Sequence, residues 1–219
     1  MRTDAKENLI TAIQIASLQE NGKPVITEVC LYFEYKLYRG NRTSKVNAEH
    51  FRAFTAPNYP ELVESGVHLK LNTHLFLPVK TDAKLIVHKE MDNHVAIIKM
   101  FPGMSEIVLA SILATNGLRG IILETYGSGN APTEDWFLNL IEKAIKSGMY
   151  IVNVTQCSGG SVNMGQYETS TALKSLGVIS GKDITTEAAI TKLMYLLGHN
   201  IPQNEFKDIF ETALRGEIS

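Results

Sequence analysis

The sequence predicts an α/β fold: an N-terminal α/β region followed by a small parallel-sheet α/β domain of βαβαβ form with C-terminal helices. From His94 onward, short apolar runs alternate with segments of helical periodicity, as buried parallel strands and their crossover helices do. Before about residue 90 the chain is strand-rich and irregular. This change of pattern predicts two domains, residues 1–90 and 91–219. A chain of 219 residues is long enough to bury cores without disulfide or metal support.

Composition excludes several classes of protein. Lysine plus arginine total 21 and aspartate plus glutamate total 23, a net charge of −2, whereas nucleic-acid binders are usually clearly basic. No window approaches 18 uninterrupted apolar residues, so we expect no membrane association. The charged N-terminus has no signal-peptide core, and the two cysteines form no disulfide framework, which together favour the cytoplasm. No cluster of histidines or cysteines has zinc-ligand spacing, so we expect neither a metal nor a cofactor.

The first element is predicted to be a helix. Asp4 is a candidate N-cap, with Glu7 three residues later in the manner of a capping box. An apolar stripe follows at helical spacing, comprising Leu9, Ile10, Ala12, Ile13 and Ala16. The turn-forming segment Asn21-Gly22-Lys23-Pro24 ends it. Alternating residues then predict one long strand over about 25–38 and two further strands, about 67–76 and 84–89, separated by residues 78–82.

The second region reads as regular βα units. Apolar runs predict strands over about 95–100, 119–125 and 150–154. Helices are predicted over about 105–115 with Ser105 as cap, 134–147 with Thr133 as cap, and 167–176, 185–197 and 203–214. In such a sheet, ligands bind beyond the carboxyl ends of the strands. We therefore expect any binding chemistry in the loops 101–105, 126–133 and 155–161.

The last two of these loops are dense in glycine, hydroxyl and amide groups and contain no lysine or arginine. They suit a small polar or zwitterionic molecule and not a phosphate. The alternative is that they are tight βα turns, where glycine and serine are common for conformational reasons. Cys157, in the loop 155–161, is either a nucleophile or a small buried residue that fills space in the core. Lys45, after a polar turn, is either a surface charge or a functional lysine tuned by a partner.

Four segments resemble cytoplasmic type I L-asparaginases, in the family's order and over essentially the whole chain. They are Arg39-Gly40-Asn41-Arg42-Thr43-Ser44-Lys45, Tyr126-Gly127-Ser128-Gly129-Asn130-Ala131-Pro132, Asn153-Val154-Thr155-Gln156-Cys157 and Gly181-Lys182-Asp183-Ile184-Thr185-Thr186-Glu187-Ala188. The resemblance implies hydrolysis of L-asparagine to L-aspartate and ammonia by a two-domain, oligomeric enzyme. On this basis residues 1–90 are the tail of the catalytic N-terminal domain, and residues 91–219 are the small C-terminal α/β domain.

The resemblance also implies site residues. Lys45 matches the family's catalytic lysine, whose charge would lower the pKa of a hydroxyl nucleophile. Asn130, Thr155 and Cys157 match loops that bind asparagine as an effector in some bacterial members. Glu124 stands where at least one such enzyme has an arginine, and its charge would repel the carboxylate of an effector.

The family's threonine nucleophile lies in a Gly-Gly-Thr motif, and its second threonine lies in Thr-Asp-Thr. Neither motif occurs among the 219 residues. We therefore expect a fragment of an asparaginase that is inactive alone. Because its 1–90 region is poorly self-sufficient, we expect the isolated chain to be associated or unstable, and residues 91–219 without that region to be soluble. The expected partners are L-asparagine or L-aspartate and further copies of the chain, as a dimer or tetramer. The alternatives are a non-catalytic module that binds small metabolites and a structural subunit that pairs with a separately encoded N-terminal piece.

Overall fold

The computed structural model of the chain describes residues 4–78, 84–165 and 168–219, with the side chains of Glu168 and Thr169 left out. The chain divides into two compact units, Met1–Val87 and His88–Ser219. Residues 79–82 of the predicted separating stretch, and residue 167 at the start of a predicted helix, lie outside the described residues.

The first unit is built from one helix and short antiparallel strands. Its elements are α1 (Ala5–Ala16), β1 (Gln19–Glu20), β2 (Lys23–Pro24), β3 (Cys30–Phe33), β4 (Lys36–Arg39), a 3₁₀ turn (Gly40–Arg42), β5 (Ser44–Lys45), β6 (Phe54–Thr55), β7 (Val63–Ser65), β8 (Leu69–Leu71) and a second 3₁₀ turn (Thr73–Leu75). The main sheet has the order β3-β4-β7-β8, while β1 pairs with β2 and β5 with β6.

Helix α1 lies where the sequence predicts it, but its predicted apolar stripe is not buried. Leu9, Ile10 and Ile13 are 50–63% exposed, while Ile15 packs into the core of the unit. Asp4 precedes the helix without a side-chain cap and instead accepts a hydrogen bond from the Asn8 amide at 3.1 Å. Periodicity identifies a helix with an apolar face, but it does not identify what covers that face.

The predicted long strand 25–38 is instead a hairpin of β3 and β4. Glu34 and Tyr35 form its two-residue turn with φ of 43° and 69°, the left-handed conformation that a type I′ turn requires. The Glu34 N–H donates to the Asn8 side chain at 3.1 Å, which holds the turn against α1. The two halves of the predicted strand therefore pair with each other within the unit.

The other predicted strands of this region differ as well. Instead of 67–76, the structure has the shorter β8 followed by a 3₁₀ turn. Described residues 84–89 form no strand, and Leu85 is 92% exposed. Their apolar character was typical of a strand, but a strand needs a neighbour to accept its backbone hydrogen bonds.

The second unit alternates strands and helices. Its elements are β9 (Val95–Lys99), α2 (Glu106–Leu113), β10 (Gly120–Thr125), α3 (Asp135–Lys146), β11 (Tyr150–Thr155), α4 (Glu168–Ser175), β12 (Ile179–Ser180), α5 (Thr186–Gly198) and α6 (Gln203–Phe210). The strands form one parallel sheet in the order β12-β11-β10-β9. The predicted α/β fold is thus confirmed.

Alternation along β10 builds the two cores of this unit. Ile121 and Leu123 pack against residues of α2, α3 and α4, whereas Ile122 packs on the opposite face against α5 and α6. The sheet is therefore the middle of three layers, and its strands are apolar on both faces as predicted. All four strand ends point the same way, which places the loops that follow them along one edge of the sheet.

The helices of the second unit begin and end close to the predicted positions, with two exceptions. Ser105 caps α2 and accepts a hydrogen bond from the Val108 N–H at 3.4 Å, as predicted. Thr133 does not cap α3, because the residue before the helix is Glu134. Helix α6 ends at Phe210 and not near residue 214. Beyond it, the Lys182 ammonium donates to the backbone carbonyl of Glu211 at 2.7 Å, which holds the C-terminal segment in a different path.

A buried ion pair fixes this C-terminal segment. The Lys192 ammonium on α5 lies 2.5 Å from a Glu217 carboxylate oxygen, with both side chains less than 10% exposed, and it also donates to the Thr212 carbonyl at 2.6 Å. The Glu217 carboxylate accepts further hydrogen bonds from the Leu214 and Arg215 N–H groups at 3.0 and 2.7 Å. The buried charges of Lys192 and Glu217 are thus compensated by each other and by these hydrogen bonds.

This pair predicts a pH dependence of stability. Burial alone would raise the pKa of the Glu217 carboxyl, but the backbone N–H donors and Lys192 outweigh burial and hold the pKa below its ordinary value of 4.5. The stabilisation is therefore complete above that value and is lost as the pH falls through the lower, folded-state pKa. We expect Glu217→Gln to lower the free energy of unfolding at pH 7 by about 3 kcal/mol.

The measurement is a urea titration of wild type and Glu217→Gln at several pH values from 7 to 3. The gap between the two proteins should narrow as the pH falls, because the wild-type carboxylate becomes protonated. Exposed Glu205→Gln on α6 is the control and should track wild type throughout. A gap of constant size over the whole range would show that ionised Glu217 contributes nothing.

Candidate functional site

Lys45 lies at the end of a rigid connection in the first unit. It ends β5, directly opposite Phe54 of β6. Its side chain is exposed, with the ammonium nitrogen 5.8 Å from the centre of the Phe54 ring. The charge is therefore in contact with solvent and free to meet a ligand or a further segment of protein.

Arg39, at the end of β4, anchors the connection that leads to Lys45. Its guanidinium is buried in an ion pair with Glu28 and donates to the Leu75 carbonyl at 2.8 Å. The same guanidinium lies over the Tyr59 ring, 4.4 Å from its centre. The other Glu28 oxygen accepts the Leu77 N–H at 2.9 Å, so this buried carboxylate joins three segments of the unit.

The residues between Arg39 and Lys45 are fixed in turn. The Gly40 N–H donates to the Val29 carbonyl at 2.9 Å, and a Cβ at Gly40 would lie 3.0 Å from that same oxygen, which is too close for an easy substitution. Arg42 is 2% exposed, with its guanidinium 5.2 Å from the Tyr59 ring centre. The Thr43 hydroxyl donates to the Gly40 carbonyl at 2.5 Å. Arg39 and Arg42 are thus buried within this connection, whereas Lys45 at its end is exposed.

In the second unit, Asn130, Thr155 and Cys157 lie at or beyond the ends of the neighbouring strands β10 and β11. The Thr155 hydroxyl donates to the Gly127 carbonyl at 2.5 Å and accepts the Cys157 N–H at 3.0 Å, so it ties the loop after β10 to the loop after β11. Asn130 closes its own loop through backbone hydrogen bonds with Tyr126 at 2.8 and 2.9 Å. Cys157 is exposed, which contradicts the alternative of a buried filler.

Two amide side chains that sequence reasoning did not single out hold these loops. Asn153 is fully buried, accepts the Thr125 hydroxyl proton at 2.6 Å and donates to the Gly129 carbonyl at 3.1 Å. Gln156 donates to the Met100 and Glu124 carbonyls at 2.6 and 2.9 Å. A polar residue inside an otherwise apolar strand, as Asn153 is, was the available signal.

Glu124 adds a negative charge beneath these loops. One carboxylate oxygen accepts the Thr186 hydroxyl proton at 2.6 Å, and the other lies 3.9 Å from the Lys99 ammonium. The side chain is 15% exposed, so its charge is partly compensated by these two groups and partly open to solvent. Hydroxyl, amide and carboxylate groups therefore lie at one edge of the sheet. They suit the positively charged amino group of a zwitterionic ligand better than its carboxylate.

Lys45 lies in the first unit, and the strand-end residues lie in the second. Among the described residues, no group of three or more histidine, cysteine, aspartate or glutamate side chains is placed to hold a metal ion. Within the same residues, no helix is both long and apolar enough to cross a membrane.

Two family models match the chain. The model for the Glutaminase/Asparaginase C-terminal domain matches residues 94–210, and the model for Asparaginase, N-terminal, matches residues 1–76. L-asparaginase 1 of Escherichia coli (strain K12) is 39% identical over all of this chain, and the chain spans 63% of that relative's length. The 60 kDa lysophospholipase of Mus musculus is 38% identical over 99% of the chain, which covers 37% of that protein.

Solved structures agree with these relatives. L-asparaginase I from Vibrio cholerae superposes on the whole chain with a TM-score of 0.90 at 39% identity, and the chain covers 64% of it. The thermostable L-asparaginase from Thermococcus kodakarensis superposes with a TM-score of 0.87 at 31% identity and the same 64% coverage. The chain thus spans just under two thirds of the length of the asparaginases to which it is similar.

Proposed function

Since the chain belongs to the glutaminase/asparaginase family, as its sequence predicted, we propose that it is part of an L-asparaginase that hydrolyses L-asparagine to L-aspartate and ammonia. In this proposal the first unit supplies the catalytic lysine, Lys45. The threonine hydroxyls of the reaction come from Gly-Gly-Thr and Thr-Asp-Thr motifs, which the 219 residues do not contain.

The placement of Lys45 carries this proposal. A lysine that acts on a hydroxyl must hold its charge at a fixed point and keep its ammonium accessible. The connection from Arg39 to Lys45 satisfies both conditions, because its arginines are buried in ion-pair and ring contacts while the lysine remains exposed. An ordinary surface lysine requires no such scaffold. The alternative of a metabolite-binding module alone leaves this scaffold without a role.

The proposed chemistry uses Lys45 as a charge and not as a nucleophile. An ammonium beside a threonine or its partner carboxylate stabilises the oxygen anion that forms when the hydroxyl proton leaves. The threonine oxygen then attacks the side-chain amide carbon of asparagine, ammonia departs with that proton, and water releases L-aspartate. This sequence needs neither a metal nor a redox cofactor.

Ammonia release tests the proposal directly. In a hybrid, the part of E. coli L-asparaginase 1 that has no counterpart in this chain would precede residue 1. We expect this hybrid to release ammonia and L-aspartate from L-asparagine, and the chain alone to release neither. A folded hybrid that binds L-asparagine without hydrolysing it would overturn the enzymatic proposal in favour of a binding module.

We further propose that the strand-end loops of the second unit, with Asn130, Thr155 and Cys157, bind L-asparagine or L-aspartate as an effector. The hydroxyl and amide network that holds these loops supports this proposal. Glu124 weakens the binding of any ligand with a carboxylate, since like charges in a partly buried site repel. This repulsion is greater for L-aspartate, which has two carboxylates, than for L-asparagine, which has one.

This effector proposal predicts the outcome of one substitution. Glu124→Gln removes the charge and keeps an oxygen that can accept the Thr186 hydroxyl proton. We expect L-aspartate to bind about fivefold more tightly to this variant, a gain of about 1 kcal/mol from relieved repulsion. Calorimetry on the whole chain measures it, with exposed Glu187→Gln in the first turn of α5 as the matched control. The proposal would be contradicted if neither L-asparagine nor L-aspartate bound to wild type, Glu124→Gln or Glu187→Gln.

We also propose that the assembled enzyme is a homo-oligomer, a dimer or tetramer, located in the cytoplasm. Neither Cys30 nor Cys157 is in a disulfide, which supports a reducing compartment. The exposed apolar residues of α1 support association through the first unit.

A further inference from the structure

Two histidines that the proposed function does not use meet on the second unit. His88 lies on the exposed segment before β9, and His199 follows the last residue of α5. The Nδ1 atom of His88 is 3.0 Å from the Nε2 atom of His199. They are separated by 111 positions in the chain, so only the fold brings them together.

The hydrogen bonds determine where the protons sit. The Nδ1 atom of His199 lies 2.8 Å from the Tyr195 carbonyl, which can only accept, so this nitrogen carries the proton. In the neutral ring, Nε2 of His199 therefore carries a lone pair and no proton. Nδ1 of His88 must supply the proton that lies between the two rings. A neutral imidazole with its second nitrogen bonded to a carbonyl is the arrangement that metal-binding histidines adopt.

Backbone contacts place His88 at this distance. The Asp92 N–H, four residues later, donates to the Met194 carbonyl of α5 at 3.0 Å. Gly198 allows the segment to lie against the helix, because a Cβ there would be 2.6 Å from the Glu90 carbonyl oxygen. The segment that carries His88 is thus held along the end of α5, while His88 itself remains open to solvent.

The surroundings of the pair are aromatic and modestly charged. The Tyr195 ring lies 4.1 Å from the His199 ring and 5.5 Å from the His88 ring, centre to centre. The Arg215 guanidinium stacks on the Tyr195 ring at 4.9 Å. Glu90 and Asp92 are the acidic residues that follow His88 on the same segment, and the Asp92 carboxylate pairs with Arg119. Rings on one side and solvent on the other leave an open face for a bound ion.

We propose that His88 and His199 bind one divalent transition-metal ion of the zinc class, through Nδ1 of His88 and Nε2 of His199, with water completing the coordination. Two imidazole nitrogens on tetrahedral zinc, each about 2.0–2.1 Å from the metal, are about 3.4 Å apart. The present separation of 3.0 Å requires a change of a few tenths of an ångström. Imidazole is a preferred ligand of zinc, copper and nickel.

Binding requires one proton to move. The proton on Nδ1 of His88 passes to solvent and Nε2 of the same ring takes one up from solvent, so the ring stays neutral in its other tautomer and no net proton is released. His199 is already in the required tautomer. The ion then replaces the shared proton as the link between the segment before β9 and α5.

Calorimetric titration of the whole chain with Zn²⁺ tests the proposal. All titrations use Cys157→Ser protein, which removes the exposed thiol as a competing ligand. We expect one ion per chain, and a loss of affinity of at least about tenfold in both His88→Gln and His199→Gln. The control is His68→Gln in the first unit, where an exposed histidine is replaced in the same way without effect.

Heat denaturation provides a second measurement that does not depend on calorimetric heats. Zn²⁺ at saturating concentration should raise the melting temperature of the second unit in the control protein and not in the His88 variant, which lacks only an exposed side chain and retains the His199 bond to Tyr195. Saturation at one ion with the same affinity in both histidine variants would overturn the proposal, and so would the absence of saturable binding.

Discussion

Replacing Lys45 by methionine is expected to lower kcat for L-asparagine hydrolysis by about a hundredfold or more in the assembled enzyme. Methionine keeps much of the length of lysine and none of its charge, so the change removes electrostatic stabilisation of the forming oxygen anion. Because Lys45 is exposed and its side chain, among the residues that the structure describes, contacts only the Phe54 ring at 5.8 Å, the free energy of unfolding should not change measurably. Steady-state kinetics on the hybrid with and without the substitution give the comparison.

Two lysines of the first unit serve as controls for this result. Lys70 is exposed and lies 3.9 Å from Glu64, and Lys36 forms an ion pair with Glu61 at 3.3 Å. Neither occurs in the segment that resembles the family's lysine motif. Lys70→Met and Lys36→Met should leave kcat within about twofold of wild type, as exposed ion pairs contribute little. Near-normal turnover of Lys45→Met, or equal losses in all three variants, would show that Lys45 is not the catalytic lysine.

Arg39→Met is expected to be the most destabilising single substitution in the first unit. It leaves the Glu28 carboxylate buried without its cation and the Leu75 carbonyl without its donor. Breaking a buried pair in this way costs about 3–5 kcal/mol. Hydrogen exchange should accelerate over residues 28–45 in particular, since Arg39 joins β4 to the connection that leads to Lys45.

The double variant Glu28→Met with Arg39→Met identifies the cause. Removing both charges leaves no uncompensated ion, so it should recover a large part of the lost stability. Arg52→Met is the control, because it removes an exposed arginine of the same unit and should leave the free energy of unfolding nearly unchanged. If the double variant were as unstable as Arg39→Met, lost packing against Tyr59 would be the cause and not the buried carboxylate.

Except for the short strand β12, which was not predicted, the elements of the second unit could be predicted from the sequence for a physical reason. A strand covered on both faces needs consecutive apolar residues, and Gly120–Thr125 and Tyr150–Thr155 largely show this pattern. The Ser105 cap leaves an equally local signature. Helix α6 was predicted four residues too long, because the contacts that end it come from Lys182, in a different part of the chain.

The first unit was predicted less well because its features depend on pairing and coverage. A two-residue hairpin preserves alternation across its turn, and Glu34-Tyr35 lacks the asparagine or glycine that usually marks a type I′ turn. The apolar stripe of α1 and the residues 84–89 have the composition of buried structure, yet they are exposed. Periodicity describes what a segment could bury and not whether a neighbour is present.

For the candidate sites, sequence resemblance selected the residues, and the structure describes what holds them. Thr155 was expected to contact a ligand, and it also links two loops through Gly127 and Cys157. Glu28 was not singled out, because an acidic residue 11 positions before Arg39 has no local signature. Its importance appears only when the fold buries both side chains.

The order of strands in the parallel sheet bears on how the second unit forms as the ribosome makes it. Each strand joins beside the one made just before it, so none of the four must wait for a later strand. The buried Lys192 does wait, because its carboxylate partner Glu217 is synthesised 25 residues later. At about 5–20 residues per second, that delay is on the order of seconds. We therefore expect α5 to close onto the sheet late, when Glu217 arrives, and a nascent chain shorter than this to remain sensitive to proteases at α5.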